Sequence, residues 1–572
     1  MTTKMKSSSF GWAKYFSGEK WLDVLSWLVI FTLGVSLLLG MFLPLYTDEL
    51  ATKIMQSRFF AEHGRLLTLF PQCESGFISD TPYSWYPAAV IYSFIYSQLE
   101  PLGIRIAGVV TSLMSLVVLF YWISSKALIS KDKILLCATV AAIFGLGVFP
   151  FVLVLARAEQ WLVLLIVTYC LFPIISKRLL QHKNKLVEIA SFIIFCILTS
   201  FFFYTHTKSI FFFPMIFISA LYSFGSKHKL LFGLSLMFTV VCAIQTVQYA
   251  RAAIRCDDAP ILSKLLASQT IDMSKLTVSP LLVINDAINN LVSAPQQITR
   301  HLVFQSEYQS GWLPPEKTES FSDVVAIVNV VVVTILQGVI WLALLTPLIL
   351  IFSGMQWANV GKEKLLVCSI WIALVGHLAI YKVWNFYGGA LVIPISVALL
   401  VISCAEIFQL SIRTRIGKSI LLIVFVTSLL SFSLRFFNVM PDLIAIAHSS
   451  TNSLPGQPLS VSAFNFENTR ARVRLLANEC GLQGDGSKKL VVDDMTYFAF
   501  DDLQQPLHLV YLYEGGFGAD IGGDKLQKFL TKMGSDGIVA QCTYFPHLYL
   551  GHAIRDDNIC CIRLEKLQHI YK

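Results

Sequence analysis

The sequence predicts a polytopic α-helical membrane protein of about eleven transmembrane helices, followed by a C-terminal extracytoplasmic α/β domain. Three observations lead there. Of 572 residues, 55% are hydrophobic and only 14% are charged, whereas soluble domains carry about 25% charged residues. Apolar runs of about 18 residues or more, each long enough to cross a bilayer, recur between residues 22 and 437. Beyond 437 the runs stop, and short strand-like pieces separated by Gly-rich turns take over.

The spans are expected at 22–45, 103–124, 134–155, 160–176, 186–205, 209–224, 230–250, 323–353, 365–381, 390–409 and 419–437. The first is too long for a signal-peptide core and lacks a small-residue cleavage site, so it reads as a signal anchor. Lys and Arg concentrate in alternate connections, such as 126–133, 177–185, 362–364 and 413–418. Because basic short loops stay in the cytoplasm, this bias predicts a cytoplasmic N-terminus, and an odd number of spans then puts the tail outside. The net charge of +8 therefore reports orientation and not nucleic-acid binding.

Residues 1–437 read as one transmembrane domain with outer loops 46–102 and 251–322, and residues 438–572 as the α/β domain. After Asp48, the apolar Ala51, Ile54, Met55, Phe59 and Phe60 recur near helical spacing, which predicts an amphipathic helix on the membrane surface. "WYPAAVIYSFIYSQL" is a second interfacial candidate, rich in Trp and Tyr. In the tail, "ENTRARVRLLANECG" predicts a helix stopping at Gly481, "KLVVDD" and "LHLVYLY" predict strands, and "SSTNSLPGQPLS" is the linker. Six cysteines lie outside the spans: Cys73, Cys256, Cys480, Cys542, Cys560 and Cys561. An even number suits disulfides in an oxidising compartment, with the pairing open and free thiols the rival reading. No CxxC pair has zinc-site spacing.

Every short outer turn carries ionisable or polar groups: Asp48 and Glu49; Arg157 and Glu159; His206 and Lys208; Lys382, Asn385 and Tyr387. Charges close to hydrocarbon are costly and face a partner or a cavity. Taken singly, each also reads as a solvated turn residue. Taken together, carboxylates beside cations at one membrane face suit group transfer involving an anionic lipid. A carboxylate can take a proton from a hydroxyl nucleophile, and Arg or Lys can hold a phosphate leaving group.

Five segments resemble the GT-C class of membrane glycosyltransferases, close to the bacterial aminoarabinose transferases and protein O-mannosyltransferases. They are "DELATKIMQSRFFAEHGRL", "TPYSWYPAAVIY", "ARAEQWLVLLIVTYCLF", "THTKSIFFFPMIF" and "YGGALVIPISVALL", which follow the family's order relative to the spans over residues 20 to 410. The resemblance implies a GT-C-like fold in the bacterial cytoplasmic (inner) membrane, with the site and the tail in the periplasm. It implies inverting transfer of a monosaccharide from a polyprenyl-phosphate-linked donor to a lipid or glycan acceptor, such as a glycolipid or lipopolysaccharide. By motif match Asp48 is the base, with Glu49 and Glu159 positioning the acceptor or tuning Asp48. Arg157 and Lys208 fall where the carrier phosphate is held, and His206, Tyr86, Lys382, Asn385 and Tyr387 join them as candidate substrate contacts. The aminoarabinose transferases carry an Arg where this chain has Ala51 and a Lys where it has Thr81, so Lys53 or Arg58 is expected to replace the missing cation. Asp48, Glu49 and Glu159 also leave a divalent metal open; no other cofactor is implied.

Other signals read blandly. "EGGFGADIGG" lacks the strand, helix and Lys of a phosphate-binding loop, and His377 reads as a packing residue. Rival functions are a lipid or glycan flippase, a protein O-glycosyltransferase, and a non-catalytic assembly protein. A transporter predicts charges buried mid-span and paired broken helices, and the spans carry few such charges.

Overall fold

A computed structural model describes residues 20–46, 49–63, 94–125, 133–180, 184–225, 228–254, 267–304, 322–348, 362–407, 415–448, 461–482, 490–493, 496–500, 507–508, 530–531, 534–543, 545 and 547–565. Among them, nine helices are long and apolar enough to cross a membrane by length and composition, and two shorter apolar helices accompany them. Nine of the eleven expected spans fall on the nine long helices, and the other two, 134–155 and 365–381, meet only the two shorter ones. In chain order the elements are α1 (Lys20–Leu39), a π-helix (Glu49–Gln56) leading into α2 (Ser57–His63), α3 (Pro101–Ser125), α4 (Lys133–Phe144), α5 (Phe149–Leu153), α6 (Ala158–Leu180), α7 (Lys185–Thr205) and a 3₁₀ turn (Thr207–Phe212). There follow α8 (Phe213–Phe224), α9 (Lys229–Ile254), α10 (Pro280–Thr299), α11 (Ser322–Leu344), α12 (Lys362–Ile380), α13 (Phe386–Ile407), α14 (Arg415–Leu434), a second π-helix (Arg435–Val439), α15 (Met440–His448) and α16 (Phe466–Glu479).

The third span differs from expectation. Residues 134–155 form no single helix; α4 ends at Phe144 and the short α5 begins at Phe149. Gly147 has φ +50, and a Cβ there would lie 2.0 Å from the Leu302 carbonyl oxygen. The Val148 N–H donates to that same oxygen at 3.0 Å. The carbonyls released by the break are met by Arg435, which is buried: its Nη1 donates to Gly145 O at 2.9 Å and to Gly147 O, and its Nη2 donates to Ser36 Oγ at 2.9 Å. Non-helical backbone survives at membrane depth where protein groups satisfy it.

The amphipathic segment after Asp48 also departs from expectation. Leu50, Ile54 and Met55 are buried against the tail, in one cluster with Tyr497, Phe498, Phe500 and Val473, rather than laid on a lipid surface. A tertiary partner covers Ile54 and Met55 of the stripe, so the tail and the first outer loop share one side of the bundle; the side chains of Ala51 and Phe59 lie outside the described residues. The Leu45 N–H donating to Val461 O at 2.8 Å ties them further.

The tail sheet has strands β1 (Leu490–Val492), β2 (Leu507–His508), β3 (Gly537–Gln541), β4 (Ile554–Asp556) and β5 (Ile559–Arg563) in the order β2-β1-β3-β5-β4. β2, β1 and β3 run parallel, and β5 and β4 join antiparallel. α16 ends as expected, with Gly481 at φ +76. Successive strand residues point to opposite faces, and β5 uses this in its adjacent cysteines. Cys561 faces α16 and bonds Cys480, while Cys560 faces the other layer and bonds Cys542. Cys73, Cys256, the linker "SSTNSLPGQPLS" and "EGGFGADIGG" lie outside the described residues.

Candidate active site

The structure brings together the turns before α6, after α7 and before α13. Glu159, in the first turn of α6, is buried. Lys208 Nζ donates to its Oε1 at 2.9 Å and Arg157 Nε to its Oε2 at 3.3 Å. His206 Nε2 lies 3.9 Å from Oε1. Tyr387 roofs both cations: the Arg157 guanidinium carbon is 3.9 Å and Lys208 Nζ 5.2 Å from its ring centre. Tyr46, two residues before Asp48, offers Arg157 a second ring at 5.3 Å and packs edge-on against Phe386. Tyr381 gives Lys208 another ring at 5.6 Å. Asn385 hydrogen-bonds the Tyr387 hydroxyl.

His206 is the N-cap of the 3₁₀ turn, and its Nδ1 accepts the Lys208 N–H at 3.0 Å. That bond requires an unprotonated Nδ1. Although 27% of its side chain is exposed, burial by surrounding protein and then the Lys208 cation lower the imidazole to about 4. His206 is therefore neutral at neutral pH.

Glu49 belongs to a separate buried centre. Arg105, in the second turn of α3, grips it with both guanidinium nitrogens, Nη1 to Oε1 at 3.0 Å and Nη2 to Oε2 at 2.7 Å. The Ala156 N–H donates to Oε1 at 2.7 Å, and the Tyr46 N–H to Oε2 at 2.8 Å. Arg105 Nη2 also donates to Pro44 O at 2.7 Å, and both side chains are fully buried. Arg105 is not among the residues singled out from the sequence; the signal available was an Arg inside the first two turns of an apolar span.

The remaining candidates are dispersed. Lys53 is buried, with Nζ 4.9 Å from the Tyr96 ring centre, and the Tyr96 hydroxyl accepts from Trp161 Nε1 at 2.9 Å. Arg58 faces Glu100 at 3.8 Å. Lys382 turns outward to Asp286 of α10 at 3.8 Å, outside the Glu159 cluster. Asp48 and Tyr86 lie outside the described residues. The divalent metal left open by Asp48, Glu49 and Glu159 finds no fit at the two described carboxylates, whose oxygens are already held by cations and N–H groups. Among the described residues no group of three His, Cys, Asp or Glu is placed to hold a metal.

Beneath the cluster, a narrow cleft runs between α3, α6 and α13. Arg157, Glu159 and Tyr387 form its polar end, and Leu116, Phe144, Val163 and Pro394 are among its apolar walls.

Fold and site together define a multi-pass membrane protein with a buried acid–cation cluster at one end of its bundle, above an apolar cleft. No protein-family model matches the chain, and no curated protein does. Among solved structures it is similar to the oligosaccharyltransferase AglB of the archaeon Archaeoglobus fulgidus, solved in complex with an inhibitory peptide and a dolichol-phosphate. The TM-score is 0.45 and the identity 10%, over 93% of this chain and 70% of that one.

Proposed function

We propose that this protein is an inverting glycosyltransferase that moves a monosaccharide from a polyprenyl-phosphate carrier to a glycolipid or glycan acceptor on the extracytoplasmic side of a bacterial cytoplasmic membrane. The observation that carries the reading is the convergence of Arg157 and Lys208, from two separate turns, on one buried carboxylate at the polar end of an apolar cleft. A lipid phosphate needs that pairing of a cationic head with an apolar channel. In this reading Arg157 and Lys208 receive the phosphate as the glycosidic bond breaks, and Glu159 keeps them in place between turnovers. Tyr387 limits their movement.

Asp48 is the general base, taking the proton from the acceptor hydroxyl as it attacks the anomeric carbon. Its neighbours support the assignment: Tyr46 packs on Arg157 and Glu49 is locked to Arg105, so the chain is anchored on both sides of residue 48. Glu49 is a positioning residue here, since its oxygens are occupied.

The test is transfer by the purified chain in nanodiscs, using a panel of polyprenyl-phosphate sugars and candidate envelope acceptors. Asp48→Asn is expected to fold and to lower transfer by about 100-fold or more, the scale of general-base catalysis. Parental turnover by a folded Asp48→Asn protein would falsify the mechanism.

A further inference from the structure

The loop expected wholly outside the membrane at 251–322 contains α10, whose surface divides into three faces. Val283, Ala294, Ile298 and Thr299 are buried against the bundle. Asn290 Nδ2 donates to Ala379 O at the end of α12, and Leu302 just beyond α10 packs on Gly389 of α13. Beside the buried face runs an apolar exposed one: Leu281 (80% exposed), Ile284 (51%), Ile288 (52%) and Val292 (59%) recur at spacings of three and four, one side of a helix. Next to it runs an exposed polar face of Asn285, Asp286, Asn289 and Gln296, where Asp286 meets Lys382. Val278 just before the helix is also exposed, and so is Leu282, which stands at the start of the polar face, one turn before Asn285 and Asp286.

A helix at a protein–water boundary needs two faces. A third, apolar and uncovered, places α10 where protein, water and hydrocarbon meet. The occupant of that face follows from continuity. α10 packs on α11 and α12, apolar helices of the bundle whose own exposed residues, Ile327 and Val330 on one and Ile372 on the other, are lipid-facing in a membrane-spanning chain.

We infer that α10 is an interfacial helix whose Leu281–Ile284–Ile288–Val292 stripe lies among the acyl chains of the membrane, with Asn285 and Asn289 in the headgroup water. This rests on the chain crossing a membrane and not on its being a transferase, so the result is independent of any sugar-transfer assay.

The test places a genetically encoded dansylalanine singly at Leu281, Ile288, Asn285 or Asn289 in the full chain, reconstituted in phosphatidylethanolamine/phosphatidylglycerol nanodiscs. All four positions are exposed, and gel-filtration profiles identical to the parent confirm folding. At 281 and 288 the emission is expected to be blue-shifted and quenched at least twofold more by doxyl-lipid than by aqueous iodide. At 285 and 289 the order reverses. Iodide quenching at 281 and 288 equal to that at 289 would mean the stripe faces water. Quenching by neither agent would mean that protein, a second copy or another segment of this chain, covers it. Either result overturns the inference.

Discussion

Replacing Glu159 by Gln removes one charge from a buried group that two cations share. Lys208 Nζ at 2.9 Å and Arg157 Nε at 3.3 Å then face a neutral amide. At an effective dielectric constant of about 20, a unit pair at the shorter distance attracts by about 6 kcal/mol. Desolvation of the two ions cancels several kcal/mol of that gain in the intact pair. Loss of one partner from such a pair costs about 3–5 kcal/mol, because the other charge stays buried and uncompensated. Lys208→Met has a smaller expected cost, about 1–3 kcal/mol, since Glu159 keeps Arg157. If the cluster is one electrostatic unit, the double variant Glu159→Gln/Lys208→Met is more stable than the summed single effects imply, with a coupling of about 1–3 kcal/mol. The assay is thermal unfolding in detergent, read as the folded fraction by size exclusion for parent, both singles and the double. Additivity within about 0.5 kcal/mol would refute the shared-carboxylate argument and leave Lys208 and Glu159 as chance neighbours.

Glu49→Gln is expected to destabilise by about 3–5 kcal/mol through the stranded Arg105, and Arg105→Lys by a lesser amount because a lysine cannot reproduce the two-pronged grip; thermal midpoints that match the parent would remove both from the framework. His206 is lowered to about 4 from 6.5, so protonation favours the unfolded chain. Its contribution is constant above pH 6.5 and is lost as the pH falls from 6.5 towards 4. His206→Asn keeps a cap acceptor and should flatten that part of the stability–pH curve, whereas an unchanged slope would assign it to another group. Gly108→Ala puts a Cβ 2.1 Å from the Val154 carbonyl oxygen, a backbone clash expected to cost about 1–3 kcal/mol and visible as a lower unfolding temperature. Non-reducing electrophoresis after thiol alkylation should find Cys480, Cys542, Cys560 and Cys561 protected when the chain is made in an oxidising compartment; Cys480→Ala, opening a bridge with separation 81, should lower stability by up to about 4 kcal/mol.

The spans were legible because hydrocarbon imposes length and composition on every helix that crosses it. What escaped the sequence was pairing between distant residues. The run 134–155 is apolar throughout, and nothing local says that Gly145 and Gly147 break it; the compensating Arg435 lies 290 and 288 residues away. Arg105 and Glu49, 56 residues apart, have ordinary solvated readings when taken alone. α10 was missed because its three faces dilute the two-sided periodicity that marks a surface helix. The cations Arg157 and Lys208 were legible as candidates, since short turns cannot lift charge far from the bilayer. That they share Glu159, while Lys382 turns to Asp286, required the fold.

The two carboxylate centres are mechanically joined, and this explains why an acid with no vacant oxygen sits beside Asp48. Glu49 Oε1 holds the Ala156 N–H, and Arg157 is the next residue. Two residues further, Glu159 opens α6. A shift of Glu49 therefore moves the backbone that aims Arg157, while its bond to the Tyr46 N–H moves the ring that Arg157 faces. Arg105 fixes this assembly to α3, which also walls the cleft through Ser112, Ser115 and Leu116. Buried ion pairs are poor sources of net stability compared with apolar packing. At this junction the fully buried Glu49–Arg105 pair instead supplies geometry, holding the first outer loop, the α5–α6 turn and α3 in one register. On that argument a Glu49→Met/Arg105→Met double variant recovers much of the stability lost in Glu49→Gln. It does not recover the placement of Arg157, and a fluorescence or transfer readout at the cluster, rather than an unfolding temperature, is where the loss should appear.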